Sequence, residues 1–173
     1  MKKIILTLSL TAAISAPALA QTCKSASITP SNPIGQYLDN EDGTITDIVN
    51  ELMWSRCSLG QAFQGGNCIN IPLNYDTWKA ALDGAETNKD DGRYSDWRLP
   101  NIKELGSIVE RSCVAPAIDL RLFPSTPSTP YWSSTFDYRG INTVKGLIID
   151  FHDGTEIVKE VSSHKFVRLV RDL

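Results

Sequence analysis

Two adjacent serines, Ser133 and Ser134, and two histidines, His152 and His164, are the residues whose types could support nucleophilic catalysis. A serine hydrolase needs a histidine as general base beside its nucleophile. His152 lies in an expected hairpin turn, and the sequence around the serines does not resemble a nucleophile elbow. We therefore expect this chain not to be an enzyme.

The four cysteines, all of which follow residue 20, are the other side chains with reactive chemistry. An even number is typical of disulfide-bonded exported proteins. Three pairings are possible, and we favour Cys57–Cys68, because three glycines between them allow a short loop to close, which leaves Cys23–Cys113. Since no two cysteines are separated by two residues, as in many zinc sites, we predict no metal there.

The N-terminus has the order of a secretory signal peptide. Lys2 and Lys3 are basic, residues 4–14 are mostly apolar, and residues 18–20 supply the small side chains of a cleavage site. The apolar run is short for a membrane span and no second run follows, so we predict no transmembrane segment. Cleavage after Ala20 would place the protein in the periplasm, at the cell surface or outside the cell.

Removal of Lys2 and Lys3 leaves 15 basic and 20 acidic residues, a net charge of −5. This balance lacks the basic surface that nucleic-acid binding requires.

Residues 39–51 hold five acids and no base. Aligning Gly43 with the sixth position of a calcium loop puts Leu38 at the first position, where a carboxylate is required. We therefore predict a plain β-hairpin there, with a calcium site as the alternative. We predict no other cofactor.

The elements that position these residues indicate one α+β domain over residues 36–173, after an irregular arm at 21–35. The first helix is expected over about 75–85, where Trp78 and Leu82 share a face. A second follows Pro100, with Ile102, Leu105 and Val109 on its buried face. Four prolines make residues 114–130 a loop. Strands are expected at 37–38, 44–46, 52–54, 131–135, 144–151, 156–161 and 165–171, the last four forming an antiparallel meander.

Several segments together resemble one known family, the domain of unknown function DUF1566, which also forms the C-terminus of the Legionella collagen-like adhesin. The resemblance runs from about residue 36 to the end of the chain. It rests on Asp42-Gly43-Thr44, Leu52-Met53-Trp54, Arg56-Cys57-Ser58-Leu59-Gly60-Gln61 with Cys68, Trp78, Asp96-Trp97-Arg98-Leu99-Pro100-Asn101 with Glu104-Leu105, Phe123-Pro124, Tyr131-Trp132-Ser133-Ser134 and Val167-Arg168-Leu169-Val170-Arg171.

This resemblance implies an extracytoplasmic domain of C-type-lectin-like character, with two helices packed on a small antiparallel sheet. Members occur as modules of surface adhesins and as ligand-binding proteins. The adhesin module binds sulfated glycosaminoglycans and trimerises behind a collagen-like stalk. The present chain has no collagen-like repeat and is acidic, so neither property is carried over to it.

The segment that leads into the second helix is interpreted as a structural latch, with a ligand site as the alternative. Its aromatic and apolar residues are of the kind that proteins bury, Arg98 could pair with a buried carboxylate, and Asn101 with Glu104 could form a capping box. The residues assigned to this structural motif are Trp97, Arg98, Leu99, Pro100, Asn101, Glu104 and Trp132.

Lectin-like domains bind through loops near their late strands, which makes residues 136–142 the candidate ligand site. Asp137, Tyr138, Arg139 and Asn142 offer a carboxylate, an aromatic face, a guanidinium and an amide, groups that recognise sugars and protein surfaces. The acidic 39–51 surface and the 88–94 loop are the next candidates. We expect non-catalytic recognition of a glycan or a surface protein; the alternative is a periplasmic assembly accessory of a surface appendage.

Overall fold

The computed structural model describes residues 20–89, 91–137, 145–158 and 165–173. The helices in these ranges are α1 (Trp78–Thr87) and α2 (Ile102–Ser107). The strands are β1 (Thr22–Cys23), β2 (Tyr37–Asp39), β3 (Thr44–Asp47), β4 (Leu52–Ser55), β5 (Ala62–Gln64), β6 (Asn67–Ile69), β7 (Cys113–Val114), β8 (Pro130–Asp137), β9 (Lys145–Asp150), β10 (Thr155–Val158) and β11 (Val170–Asp172).

The described strands form two main antiparallel sheets and two short ribbons. The first main sheet has the order β11-β4-β3-β2, and the second has the order β10-β9-β8. The ribbons pair β1 with β7 and β5 with β6. The α+β class is therefore confirmed as a mostly β structure with two helices, but the expectation of a single small sheet was wrong, since four strands form a second one.

The buried residues of β8 and β9 lie on both faces of the three-stranded sheet, because their side chains alternate between two apolar clusters. Tyr131 pairs with Ile149 and both face the cluster that contains Leu105 of α2. Trp132 pairs with Ile148, and both face the cluster that contains Ala81 and Ala85 of α1. Both helices contact β8, and α2 also contacts β9. This sheet thus connects the two halves of the core.

Both helices begin where a polar side chain caps them. Thr77 accepts the N–H of Ala80 through its hydroxyl, so α1 begins three residues later than expected, and the N–H of Tyr75 bonds to the carbonyl of Lys165 instead. The predicted capping box of Asn101 and Glu104 at α2 is confirmed. Val109 lies beyond the end of α2, where it is buried and forms a bridge with Ile118.

The C-terminal segment differs from the expected fourth strand of the meander. Phe166 bonds to Pro130 and Trp132 beside β8, whereas Leu169 accepts from Ser55 beside β4. The alternating apolar pattern is real, but the segment crosses from one main sheet to the other, and only β11 is a regular strand. β11 then joins β4 of the four-stranded sheet.

Both favoured disulfides, Cys57–Cys68 and Cys23–Cys113, are present. Cys57–Cys68 closes the segment that holds the β5–β6 ribbon. Cys23–Cys113 joins β1 to β7, so the start of the expected irregular arm is a short paired strand. The remainder of the arm is fixed by Glu110, whose carboxylate accepts the backbone N–H groups of Ser31 and Asn32. Neither described helix is long and apolar enough to cross a membrane.

Candidate functional site

The predicted ligand loop lies almost entirely outside the described residues. Asp137 ends β8, where it is opposite Lys145 of β9. Tyr138, Arg139 and Asn142 fall in the range 138–144, which the structure does not describe. Their role in binding therefore stays a prediction.

A cleft of about 420 Å³ lies between the other two candidate regions, the acidic hairpin and the 88–94 loop. Its walls come from the β2–β3 turn, the segment closed by Cys57–Cys68, and the connection between α1 and α2. The residues that line it are Asp42, Gly43, Thr44, Ser55, Cys57, Ser58, Leu59, Gly60, Gln61, Phe63, Asn88, Asp91, Arg93, Trp97 and Leu169. We call this site the hairpin cleft.

One wall of the hairpin cleft is a turn that its own carboxylates hold in shape. One carboxylate oxygen of Asp42 accepts two hydrogen bonds from Thr44, from the backbone N–H at 2.9 Å and from the side-chain hydroxyl at 2.6 Å. Gly43 has a φ of +93°, and a Cβ there would lie 2.9 Å from Cβ of Phe63. The glycine therefore allows the turn to pack directly on the β5–β6 ribbon. Phe63 also stacks beneath the guanidinium of Arg56, 4.9 Å from the ring centroid.

The opposite wall is organised by Asp91. One oxygen of its carboxylate accepts the backbone N–H groups of Arg93 and Tyr94, and the other accepts the indole N–H of buried Trp97 at 3.0 Å. Burial acts to raise the pKa of Asp91, but these hydrogen bonds and the nearby Arg93 guanidinium outweigh it and lower the pKa. The carboxylate is therefore charged at neutral pH and held in a fixed orientation.

An ion pair joins the two walls. Nη1 of Arg93 lies 2.6 Å from Oδ2 of Asp42, and Nη2 donates to the Asp42 carbonyl at 3.2 Å. Nη2 also lies 3.8 Å from Oδ2 of Asp91. The side chains of Arg93 and Asp42 are 47% and 36% exposed, so solvent screens the pair and it contributes less than about 1 kcal/mol to stability.

The loop that carries Arg93 is anchored from its outer side by Arg171. The Arg171 guanidinium bonds to both carboxylate oxygens of Asp96, at 2.7 and 3.0 Å, and lies 4.4 Å from the ring centroid of Tyr94. The hydrogen bond to Arg171 is the main cause of the lowered pKa of Asp96. These contacts fix the end of the loop to β11.

The floor of the hairpin cleft is fixed by a buried guanidinium. Arg168 is fully buried and donates to the carbonyls of Ser55 and Arg56 and to the hydroxyl of Thr126. Burial lowers its pKa. Ser58, which lines the cleft, shares a 2.5 Å hydrogen bond with the hydroxyl of Tyr131. The polar groups of the floor are thus held by the core and cannot easily rearrange.

Two of the candidate catalytic residues, Ser133 and His152, do not line this cleft. Ser133 is buried and donates to the carbonyl of Leu147, and His152 bonds to Ser128 through Nδ1. His164 lies outside the described residues. Within the described ranges, no group of three or more His, Cys, Asp or Glu side chains is arranged to hold a metal; calcium binding stays untested.

The latch residues surround the entrance to α2. Trp97 and Leu99 are buried, and Arg98 exchanges two backbone hydrogen bonds with Val170. The Arg98 guanidinium bonds to both oxygens of Glu104 and reaches Asp172 at 2.5 Å; hydrogen bonding to Glu104 is the main cause of its raised pKa.

Of the remaining latch residues, Pro100 and Trp132 are buried and the capping residue Asn101 is half-buried; the Trp132 indole donates to the Tyr75 carbonyl. The ring of Trp97 packs in the core, as expected for the structural latch, and its indole N–H donates to Asp91 in the hairpin cleft. The ligand-site alternative for this segment stays a prediction.

Two of the three regions that form the hairpin cleft were predicted from the sequence as candidate sites, but Asp91, Arg93 and Phe63 were not identified individually as site residues. The Asp91-Gly92 turn was visible in the sequence. The pairing of Arg93 with Asp42, 51 positions away along the chain, was not. These side chains meet only where the β2–β3 turn, the β5–β6 ribbon and the connection between α1 and α2 pack together.

Comparison with known proteins gives one family. The family described as the Lcl C-terminal domain matches residues 43–171, a range that begins at the β2–β3 turn and includes both helices and every residue of the hairpin cleft except Asp42. No curated protein and no solved structure matches the chain. The C-type-lectin-like character of the fold therefore stays a prediction.

Proposed function

Because this chain belongs to the Lcl C-terminal domain family, we propose that it is an exported, non-catalytic recognition domain of C-type-lectin-like character that binds a glycan or a surface protein. The observation that carries this proposal is the hairpin cleft. It is open, polar and lined by carboxylate, guanidinium, amide and hydroxyl groups beside aromatic rings. Such groups bind carbohydrates and protein side chains without bond breaking.

The way in which the cleft is built favours binding over catalysis. Asp91 is oriented by three N–H donors and Asp42 by two donors of Thr44. Lowering the pKa of Asp91 makes it a poor general base at neutral pH, since an efficient base has a pKa near the working pH. A preorganised set of charged hydrogen-bonding groups instead suits specific recognition.

Two disulfides and membership of this family are compatible with a secreted or surface location. Export through the N-terminal signal peptide is part of the proposal, as is adhesion to a host or neighbouring cell. The acidic balance of the chain favours neutral or basic ligands over sulfated polyanions.

A binding array tests the proposal. The purified chain, with both disulfides closed, would be applied to immobilised glycans and extracellular matrix proteins, beside a reduced and unfolded sample of the same chain. We expect at least one ligand that only the folded chain retains. A second sample with Tyr138→Ala and Arg139→Ala tests the predicted loop. Equal signals from the folded and unfolded chains on every spot would contradict a recognition function.

A further inference from the structure

The hairpin cleft already holds one guanidinium, and it belongs to the protein itself. We propose that the Asp42–Asp91 side of the cleft is a receptor for an arginine side chain of a partner protein, and that Arg93 occupies this receptor in the free chain. This inference rests on the proposed function and narrows it from any glycan or protein to a protein that presents an exposed arginine.

The contacts of Arg93 show what the receptor recognises. Its two terminal nitrogens meet the Asp42 carboxylate at 2.6 Å and the Asp42 carbonyl at 3.2 Å, with the Asp91 carboxylate at 3.8 Å. A planar guanidinium has several N–H donors in a fixed fork and matches such a set of acceptors, whereas a lysine ammonium would act as a point charge. The geometry therefore selects arginine over lysine.

The acceptors do not depend on Arg93 for their positions. The second oxygen of Asp42 is held by Thr44, and Asp91 is held by the Trp97 indole and by two backbone N–H groups. When Arg93 leaves, both carboxylates remain in place. The receptor is therefore preformed, which keeps the cost of binding an incoming arginine low.

Arg93 itself is easily displaced. Its side chain is about half exposed and lies on the connection between α1 and α2, so the departing guanidinium returns to water at little cost. The cleft has space for the rest of the incoming residue, since about 420 Å³ is open beside Phe63 and Gln61. Exchange of one arginine for another also leaves the charge of the cleft unchanged.

Removal of Arg93 should expose the receptor. The probe is L-arginine amide, and the readout is the indole N–H resonance of Trp97, because this group donates to Asp91. The other three indoles report structural integrity: Trp78 donates to Ser133 and Trp132 to Tyr75, while that of Trp54 is buried. Arg93→Ala should bind the probe up to about sixfold more tightly than the unmodified chain, because an ion pair as exposed as this one keeps Arg93 in the site at most about five-sixths of the time.

Three controls make this result specific. Arg121→Ala removes another exposed arginine that pairs with an aspartate and should leave the affinity unchanged. L-citrulline amide, which has the same shape without the charge, should not shift the Trp97 resonance. Asp42→Asn placed in the Arg93→Ala chain should abolish binding. If Arg93→Ala disturbs the other indole resonances, Arg93→Gln replaces it.

Each outcome decides the proposal. A Trp97 resonance that arginine amide does not shift in a folded Arg93→Ala or Arg93→Gln chain overturns it, and so does an equal response to citrulline amide. The same experiments test the proposed recognition function independently of the arginine receptor. If the array retains a ligand but arginine amide does not shift the Trp97 resonance, the recognition function is supported and the arginine receptor is contradicted. If arginine amide shifts the resonance but the array retains no ligand, the arginine receptor is supported and the recognition of an array ligand is contradicted.

Discussion

Glu110 shows how a single buried carboxylate can hold a segment that has little regular structure. Its oxygens accept the backbone N–H groups of Ser31 and Asn32 in the arm, and both the N–H and the hydroxyl of Ser112. Burial acts to raise the pKa of Glu110, but these hydrogen bonds outweigh it and lower the pKa below its ordinary value of 4.5. The ionised Glu110 carboxylate therefore holds the N-terminal arm against the rest of the domain.

Glu110 contributes to the pH dependence of stability. A group whose pKa is lowered on folding stabilises the protein above its ordinary pKa, and this contribution is lost as the pH falls through the folded value. Glu110→Gln should lower the free energy of unfolding at pH 7 by about 1–3 kcal/mol and reduce the loss of stability below about pH 4.5. Urea unfolding between pH 3 and 7 measures this. The matched change Glu86→Gln, at an exposed helix position, should do neither; equal effects would contradict the role of Glu110.

Gly146 tests the contact between β9 and α1. A Cβ at this position would lie 2.2 Å from Cδ1 of Trp78, whose indole N–H is bonded to the Ser133 carbonyl. Gly146→Ala should therefore destabilise the protein by about 1–3 kcal/mol through overpacking. Gly106→Ala in α2, where a Cβ meets nothing within 4 Å, should stabilise by about 0.5–1 kcal/mol. Thermal unfolding of the two variants compares them, and a tolerated alanine at 146 would refute the packing argument.

At the scale of elements, the two disulfides differ in what they restrain. Cys23–Cys113 spans 90 positions of sequence, and Cys57–Cys68 spans 11. In the chain-entropy description, their removal costs about 4–5 and about 3 kcal/mol. Cys23→Ser with Cys113→Ser should therefore destabilise more than the pair Cys57→Ser with Cys68→Ser. Denaturant unfolding measures the difference, and the opposite order would show that native contacts of the short loop dominate.

The sequence predicted correctly those structural features that depend on interactions between residues close together in the chain. The Asn101 and Glu104 capping box, the Asp42-Gly43 turn and the glycines inside the Cys57–Cys68 loop each act within a few residues, and each prediction agrees with the structure. The start of α1 was misplaced, because Thr77 rather than an apolar residue determines it. The prediction that the last strand joins the meander was wrong. An alternating pattern shows that a strand is half-buried, but it does not show which neighbouring strand it pairs with.

At the scale of the whole molecule, the candidate site could be predicted only as separate regions. Asp42, Phe63 and Arg93 come from three segments with no sequence pattern in common, and their meeting depends on how the four-stranded sheet, the β5–β6 ribbon and the helix connection pack. The acidic hairpin and the Asp91-Gly92 turn were visible as polar loops. The cleft between them was not, because it is a property of the packed chain.

Cell location distinguishes recognition from the alternative role in appendage assembly. The predicted signal peptide and the two disulfides favour the periplasm, the cell surface or the medium, and the proposed recognition function leads us to expect the chain at the surface or in the medium. Fractionation of cells that express it naturally, with periplasmic and cytoplasmic marker proteins as controls, measures this. Retention of all the protein in the periplasm would favour the assembly role.

Ligand recognition in the hairpin cleft is tested most directly by calorimetric titration of the array ligand into the unmodified chain, Asp42→Asn and Asp83→Asn. Asn at position 42 keeps an oxygen for the Thr44 N–H but removes the charge. Asp83→Asn is the control, an exposed carboxylate on α1 whose partner is Lys79. Asp42→Asn should weaken binding about tenfold or more, as for the loss of one charged hydrogen-bond partner, while Asp83→Asn should leave the affinity unchanged. Equal affinities for all three chains would contradict ligand recognition in the hairpin cleft.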